Sequence, residues 1–204
     1  MRSLYEMSEW VRAETDERLH ALKRKFLLAA TAMGQSGNLE TKLVRLMIWI
    51  GTSLPSKAAH SGLAHPEEIL LEGSGWCDQH CRILRYFAWN MLDVDGRDIA
   101  VYHTDGSNGH TVTELLYQER WHLFDAHVDH QAVYHGGSDG HILSYDELVA
   151  NPAIVTREQH WWRGSNGEGK EGFYNIAGGA RARRDFPITH TTEKMRAPWR
   201  GWLI

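Results

Sequence analysis

The sequence predicts an α+β protein, with helices in its first half and an antiparallel sheet after them. Three observations carry that expectation. Up to Leu92 the apolar residues recur at steps of three and four. From Arg97 onward they follow the two-residue period of strands. Gln118-Glu119 then signals a tight turn between two strand-like runs, which suits a hairpin and not a parallel crossover.

Leu4, Met7 and Val11, followed by Leu19, Leu22 and Phe26, mark one amphipathic helix over residues 3–30, broken at Met33-Gly34-Gln35-Ser36-Gly37-Asn38. Leu39, Leu43, Leu46, Met47 and Ile50 mark a second, ending near Gly51 and Pro55. His65-Pro66-Glu67-Glu68 reads as the start of a short helix, because proline and acidic residues suit a first turn. In the next helix Cys77, Cys81, Leu84, Ala88 and Met91 form one buried stripe. Ser74 or Gly75 is expected as its N-cap, which places Cys77 in the first turn, and the helix stops before Asp93-Val94-Asp95-Gly96. Three strands follow, Arg97–His103, His110–Tyr117 and Trp121–Phe124. Ser144–Val149 reads as a short helix, Arg163–Arg184 as a long glycine- and charge-rich loop, and the Trp-bearing tail to Ile204 is expected to dock on the core. No internal repeat is visible.

At 204 residues with 42% hydrophobic content the chain can bury a full core, so a single domain is expected. Its parts would be a helical region to residue 70, a core over 70–130 and a loop-rich extension over 131–204. A net charge of −4 and a pI near 6.3 give no electrostatic case for nucleic acid. No apolar run reaches the roughly 18 residues of a membrane span. The amino terminus lacks the apolar core of a signal peptide, so a cytoplasmic location is expected. Two cysteines four residues apart suit reduced thiols on one helix face better than a disulfide framework. Eight of the 13 histidines lie between His80 and His141, which draws attention to that half of the chain.

Within it, a thiol, an imidazole and a carboxylate come in the order Cys77, His110, Asp125. A cysteine nucleophile needs a base to take its proton, and the base needs a third group to hold its tautomer and orientation. A helix amino terminus biases a thiol towards thiolate, and its N–H groups can hold an oxyanion. Cys81, one turn deeper, lacks that advantage and reads as core. His110 and Asp125 are fifteen residues apart. In a hairpin with a two-residue loop, residues an odd number apart face the same side. Pairing 117 with 120 sets Asp125 one diagonal step from His110; pairing 116 with 119 sets it directly opposite. A three-residue loop would separate them. For each residue alone the plainer reading is a buried small hydrophobe or a satisfied polar group. Three residues meeting one geometric condition weaken that reading.

Gly75-Trp76-Cys77 leading into a helix, Gly109-His110-Thr111-Val112-Thr113-Glu114 opening a strand, and Arg120-Trp121-His122-Leu123-Phe124-Asp125 closing the next resemble the core of the transglutaminase-like superfamily. The resemblance spans roughly residues 70–130. It implies a papain-like fold, with the N-terminal helices and the cysteine-bearing helix packed on an antiparallel sheet, Cys77 as nucleophile, His110 as general base then acid, and Asp125 as the orienting carboxylate. It also implies acyl transfer from an amide, in a peptide, a protein or a small molecule, through a thioester resolved by water or an amine. No cofactor is implied. Thr111 stands where an aromatic is common and Ala126 where proline is usual, which sets this chain apart from the best-known members. Trp76 and Trp121 are candidates to wall the site or serve an oxyanion, although core packing is the plainer role for both.

Two other function classes compete. Asp125, His127, Asp129 and His130, with His122, His135 and His141 nearby, offer metal ligands at short spacing. No HExxH or Cys-x-x-Cys framework accompanies them, so no metal is expected; the histidines could instead tune Asp125 or line a cleft. The absence of an EF-hand loop likewise predicts no calcium requirement. A non-catalytic protein-binding module on the same fold is the second alternative, and the complete Cys-His-Asp set argues against it. Carbohydrate binding through Trp161-Trp162 and Trp199/Trp202, or anion binding through Arg181–Arg184, rests on composition alone.

Overall fold

The computed structural model describes residues 1–57, 65–102, 109–127, 131–136, 139–151 and 200–203. The predicted loop at 163–184, His103 at the end of the first strand, Asp129, His130, Trp161, Trp162 and Trp199 lie outside the described residues. The described chain is α+β, with helices packed on small antiparallel sheets. No helix among these residues is long and apolar enough to cross a membrane.

The first predicted helix is two. Helix α1 spans Leu4–Arg12 and α2 spans Glu17–Met33. Between them, Asp16 accepts the Leu19 N–H at 2.8 Å, and Glu14 Oε1 accepts those of Thr15 and Asp16 at 3.1 Å each. These donors are thereby diverted from helical carbonyls to side chains, which is how an N-cap starts a new helix. Between Val11 and Leu19 the positions of the apolar stripe fall on Thr15 and Arg18. Lys23 then pairs with Glu14 at 2.6 Å, fastening the turn back onto α2.

Helix α3, Leu39–Ser53, starts at Asn38, whose side chain accepts the Thr41 N–H. Helix α4, Pro66–Glu72, has proline in its first turn and ends at Gly73 in the left-handed region, φ 77°. Helix α5, Cys77–Leu92, is buried on nearly every side. Its predicted stripe points inward, and Ile83, Tyr86 and Phe87 on its other flanks are buried too. One side packs on the sheet and the other on α3 and α4, with Phe87 edge-on to Phe26 at 4.9 Å and to Trp49 at 5.6 Å.

The main sheet is an antiparallel meander of β1 (Asp95–Tyr102), β2 (Gly109–Tyr117) and β3 (Arg120–Phe124). Tyr117 pairs with Arg120 across a two-residue turn. Gln118 at φ 50° and Glu119 at φ 61° are both left-handed, the geometry of a type I′ hairpin. Two ion pairs, one buried and one half-buried, brace the sheet. Arg85 of α5 meets Asp98 of β1 at 2.8 Å, and Arg97 grips Glu114 through Nε at 2.7 Å and Nη2 at 2.6 Å. The other Glu114 oxygen accepts the Tyr145 N–H at 2.7 Å. That bond seats helix α6 (Tyr145–Ala150), which follows a small hairpin of β4 (His135–Gly136) and β5 (His141–Ile142).

At the far end of the chain, α7 (Arg200–Leu203) docks as the sequence suggests. Trp202 stacks on Trp10 at 4.7 Å, Leu203 is fully buried, and the Arg2 side chain donates to the Trp202 carbonyl at 3.0 Å.

Because Asp16 caps α2 and defines the α1–α2 break, Asp16→Ala should lower unfolding free energy by about 1 kcal/mol. The measure is a shift in guanidinium midpoint without a change in slope. An unchanged midpoint would mean that the Glu14–Lys23 pair alone holds the corner.

Candidate active site

Cys77 is the first residue of α5, and the N-cap is Trp76 instead of the expected Ser74 or Gly75. The start is set by Gln79, which reaches back so that its Oε1 accepts the Trp76 N–H at 2.9 Å. Gly75 makes room for this, since a Cβ there would lie 2.9 Å from Gln79 Cβ. Gly75 also donates its N–H to the Pro55 carbonyl at 3.2 Å and pairs with Ser56, which fixes the approach to the cysteine. The small residue in Gly75-Trp76-Cys77 therefore has a steric reason.

The hairpin supplies the other two groups. The 117–120 register sets Asp125 opposite Val112, one diagonal step from His110. His110 Nε2 lies 2.8 Å from Asp125 Oδ2, and Asp125 is fully buried. The His110 imidazole also hydrogen-bonds the Cys77 thiol, and the Thr111 N–H faces the same sulfur. The structure thus brings Cys77, His110 and Asp125 together.

Their charges are coupled. Burial pushes the Cys77 thiol up, but hydrogen bonding to His110, the imidazolium charge and the Thr111 N–H outweigh it and hold the thiol below its usual range. Burial pushes His110 down. The Asp125 charge and hydrogen bond, with a contribution from Cys77, prevail and raise it to about 10. Each group therefore favours the charged form of the other. Cys81 differs in kind: it is fully buried, its thiol is driven well above the ordinary range by burial and by Asp98, and its S–H donates to the Thr111 carbonyl at 3.1 Å.

The two tryptophans part company. Trp76 flanks Cys77 and is 51% exposed, so its ring faces solvent beside the thiol. Trp121 lies on β3 near the turn, four residues before Asp125 and about 13 Å from it at strand rise. Its ring carries the Arg97 guanidinium at 4.2 Å, a cation–π contact. Trp121 therefore serves the Arg97–Glu114 brace and does not wall Cys77.

The histidines weighed as metal ligands are engaged separately. His122 is buried, with Nδ1 2.6 Å from the Ile142 carbonyl and its ring stacked on Tyr117 at 3.8 Å. His135 meets the Gly140 carbonyl at 2.8 Å. His141 sits between Asp139 at 2.5 Å and Glu147 at 3.2 Å. His127 bonds Ser56 beside the candidate nucleophile. Among the described residues no group of three His, Cys, Asp or Glu could hold a metal ion. Gln79, Ser56 and the placement of His127 are the features that the sequence did not disclose. Two signals lay in the sequence: Gln79 at the third position of a helix start, and His127 among the histidines placed to tune Asp125.

Iodoacetamide should alkylate Cys77 well below the usual thiol range of about 8.5 and faster than Cys81, and His110→Ala should slow it. Mapping the modified residue across pH tests this. Equal, slow labelling of both thiols would contradict the coupled pair.

No protein-family model and no curated protein matches the sequence. Among solved structures, the chain is similar to the crystal structure of a candidate cysteine protease from Cytophaga hutchinsonii. The identity is 17% and the TM-score 0.38, over 57% of this chain and 44% of that chain. At that distance the chemistry has to be argued from Cys77, His110 and Asp125 themselves.

Proposed function

We propose that the protein is a cysteine-dependent acyl-transfer enzyme with a papain-like, transglutaminase-like core, acting on an amide bond of a peptide, a protein or a small molecule. The observation that supports this most directly is the His110 imidazole bonded at once to the buried Asp125 carboxylate and to a thiol whose acidity it raises.

The Cys77 thiolate attacks the carbonyl carbon, and the tetrahedral oxyanion forms at the amino terminus of α5, where first-turn N–H groups have no helical acceptor. His110, as imidazolium, gives its proton to the leaving nitrogen, the C–N bond breaks and a thioester remains on Cys77. Neutral His110 then takes a proton from the incoming nucleophile. Water yields hydrolysis and regenerates the thiol; a primary amine yields transamidation. Asp125 holds the imidazole in place and stabilises its charged form throughout. Trp76, exposed beside the thiol, is the side chain best placed to touch substrate. No step calls for a cofactor.

A panel of blocked peptides and simple amides, incubated with and without a primary amine, should give products that need Cys77. Cys77→Ala should abolish turnover, and Asp125→Ala should lower kcat by about 10²-fold or more. Turnover that survives Cys77→Ala would refute the proposal. The rate should rise as Cys77 ionises below its usual range and fall as His110 loses its proton near 10, giving a bell with a late alkaline limb. A profile that starts to rise only where ordinary thiols ionise would be the contrary result.

A further inference from the structure

A fourth side chain stands beside this set. His127 is buried, at 7% exposure, two residues beyond Asp125. Its backbone N–H donates to Asp125 Oδ1 at 3.2 Å, while Oδ2 takes His110. Its ring stands almost perpendicular to that of His110, at 81° and 5.7 Å between centroids, and His80 flanks it at 5.4 Å. Nε2 meets Ser56 Oγ at 3.1 Å, and Ser56 is the residue paired with Gly75, two before Cys77.

We propose that His127 is a positioning residue: its ring, anchored by Ser56, sets the plane of the His110 imidazole and ties it to the segment that delivers Cys77. This rests on the acyl-transfer proposal above and names a support for its geometry.

The physical need is specific. Histidine χ2 is a broad torsion, so a ring held at one nitrogen by a carboxylate can still swing about that bond. A swing of about 1 Å at the thiol side would misalign the hydrogen bond that holds the Cys77 thiol below its usual range, and misplacement on that scale costs on the order of 10²-fold in rate. A flat ring packed edge-on to His110 bars the swing. The ring must then be fixed itself, and the Ser56 bond does that from across the site. Because a hydroxyl both donates and accepts, Ser56 can hold either tautomer of His127 without demanding a charge there.

A ring that merely filled space between His80 and His110 would affect folding but not the acidity of Cys77. The test is therefore the pH profile of Cys77 alkylation by iodoacetamide in the full chain, with thermal melts of the same samples. The variants are His127→Ala, His127→Phe and Ser56→Ala. In His127→Ala the profile should move to higher pH and the rate at pH 7 should drop about tenfold or more. His127→Phe keeps a flat ring against His110 and should recover most of that loss. Ser56→Ala removes only the anchor on an exposed residue and should shift the profile part of the way with little change in melting. Profiles that coincide with the wild type in folded Ser56→Ala and His127→Phe, with His127→Ala either equally unchanged or unfolded, would overturn the assignment while leaving the acyl-transfer proposal intact. A wild-type Cys77 that labels as an ordinary thiol would remove both.

Discussion

Strand register is discrete, and here one two-residue turn sets it. With Tyr117 opposite Arg120, every second residue of β3 shares a face with His110; a slip of one position would turn Asp125 to the other side of the sheet. The turn has a cost, since Gln118 and Glu119 both carry a Cβ in the left-handed region, at about 1–2 kcal/mol each. Neighbouring contacts hold it there. The Tyr117 hydroxyl donates to Glu40 at 3.1 Å and its ring stacks on His122, while Arg120 pairs with Asp139 at 3.0 Å. Leu115 and Phe124 bury the strand faces against the helices. The site therefore depends on packing at the opposite end of the hairpin from itself.

Three buried carboxylates in this sheet show why one of them is chemically distinct. Asp98 and Glu114 each face an arginine, which cannot release its proton, so these pairs serve as braces of the scaffold. Burial still lifts Asp98 to about 6, even against Arg85 and the Thr113 hydroxyl. Asp125 faces a histidine. It alone of the three is paired with a group that can give up and regain a proton, and that partner in turn touches a thiol.

Much of this was legible beforehand because it depends on short-range periodicity. The stripe on α5, the hairpin and the parity of His110 and Asp125 are local patterns, and all three appear in the structure. What escaped depends on side chains distant in sequence or on competition between donors. The α1–α2 break turns on Asp16 and Glu14 capturing N–H groups inside a stripe that seemed to continue. Trp121 lies on the strand that leads to Asp125, yet its place was decided by Arg97 on another strand. His127 sits in a short run of potential ligands, and its partner Ser56 lies 71 positions away, beyond any local pattern.

The sulfur contacts at Thr111 have a consequence for how other chains can approach. Strand β3 begins its pairing with β2 only at Thr113, so the stretch of β2 before it extends past its neighbour on that side. Main-chain donors and acceptors left open in this way invite a passing strand to add on. At Thr111 the carbonyl accepts from Cys81 and the N–H turns to Cys77. Two thiols on one helix thus close a gap that backbone would otherwise fill. A strand arriving beside Cys77 therefore finds the Thr111 N–H and carbonyl already engaged and cannot extend the sheet through them.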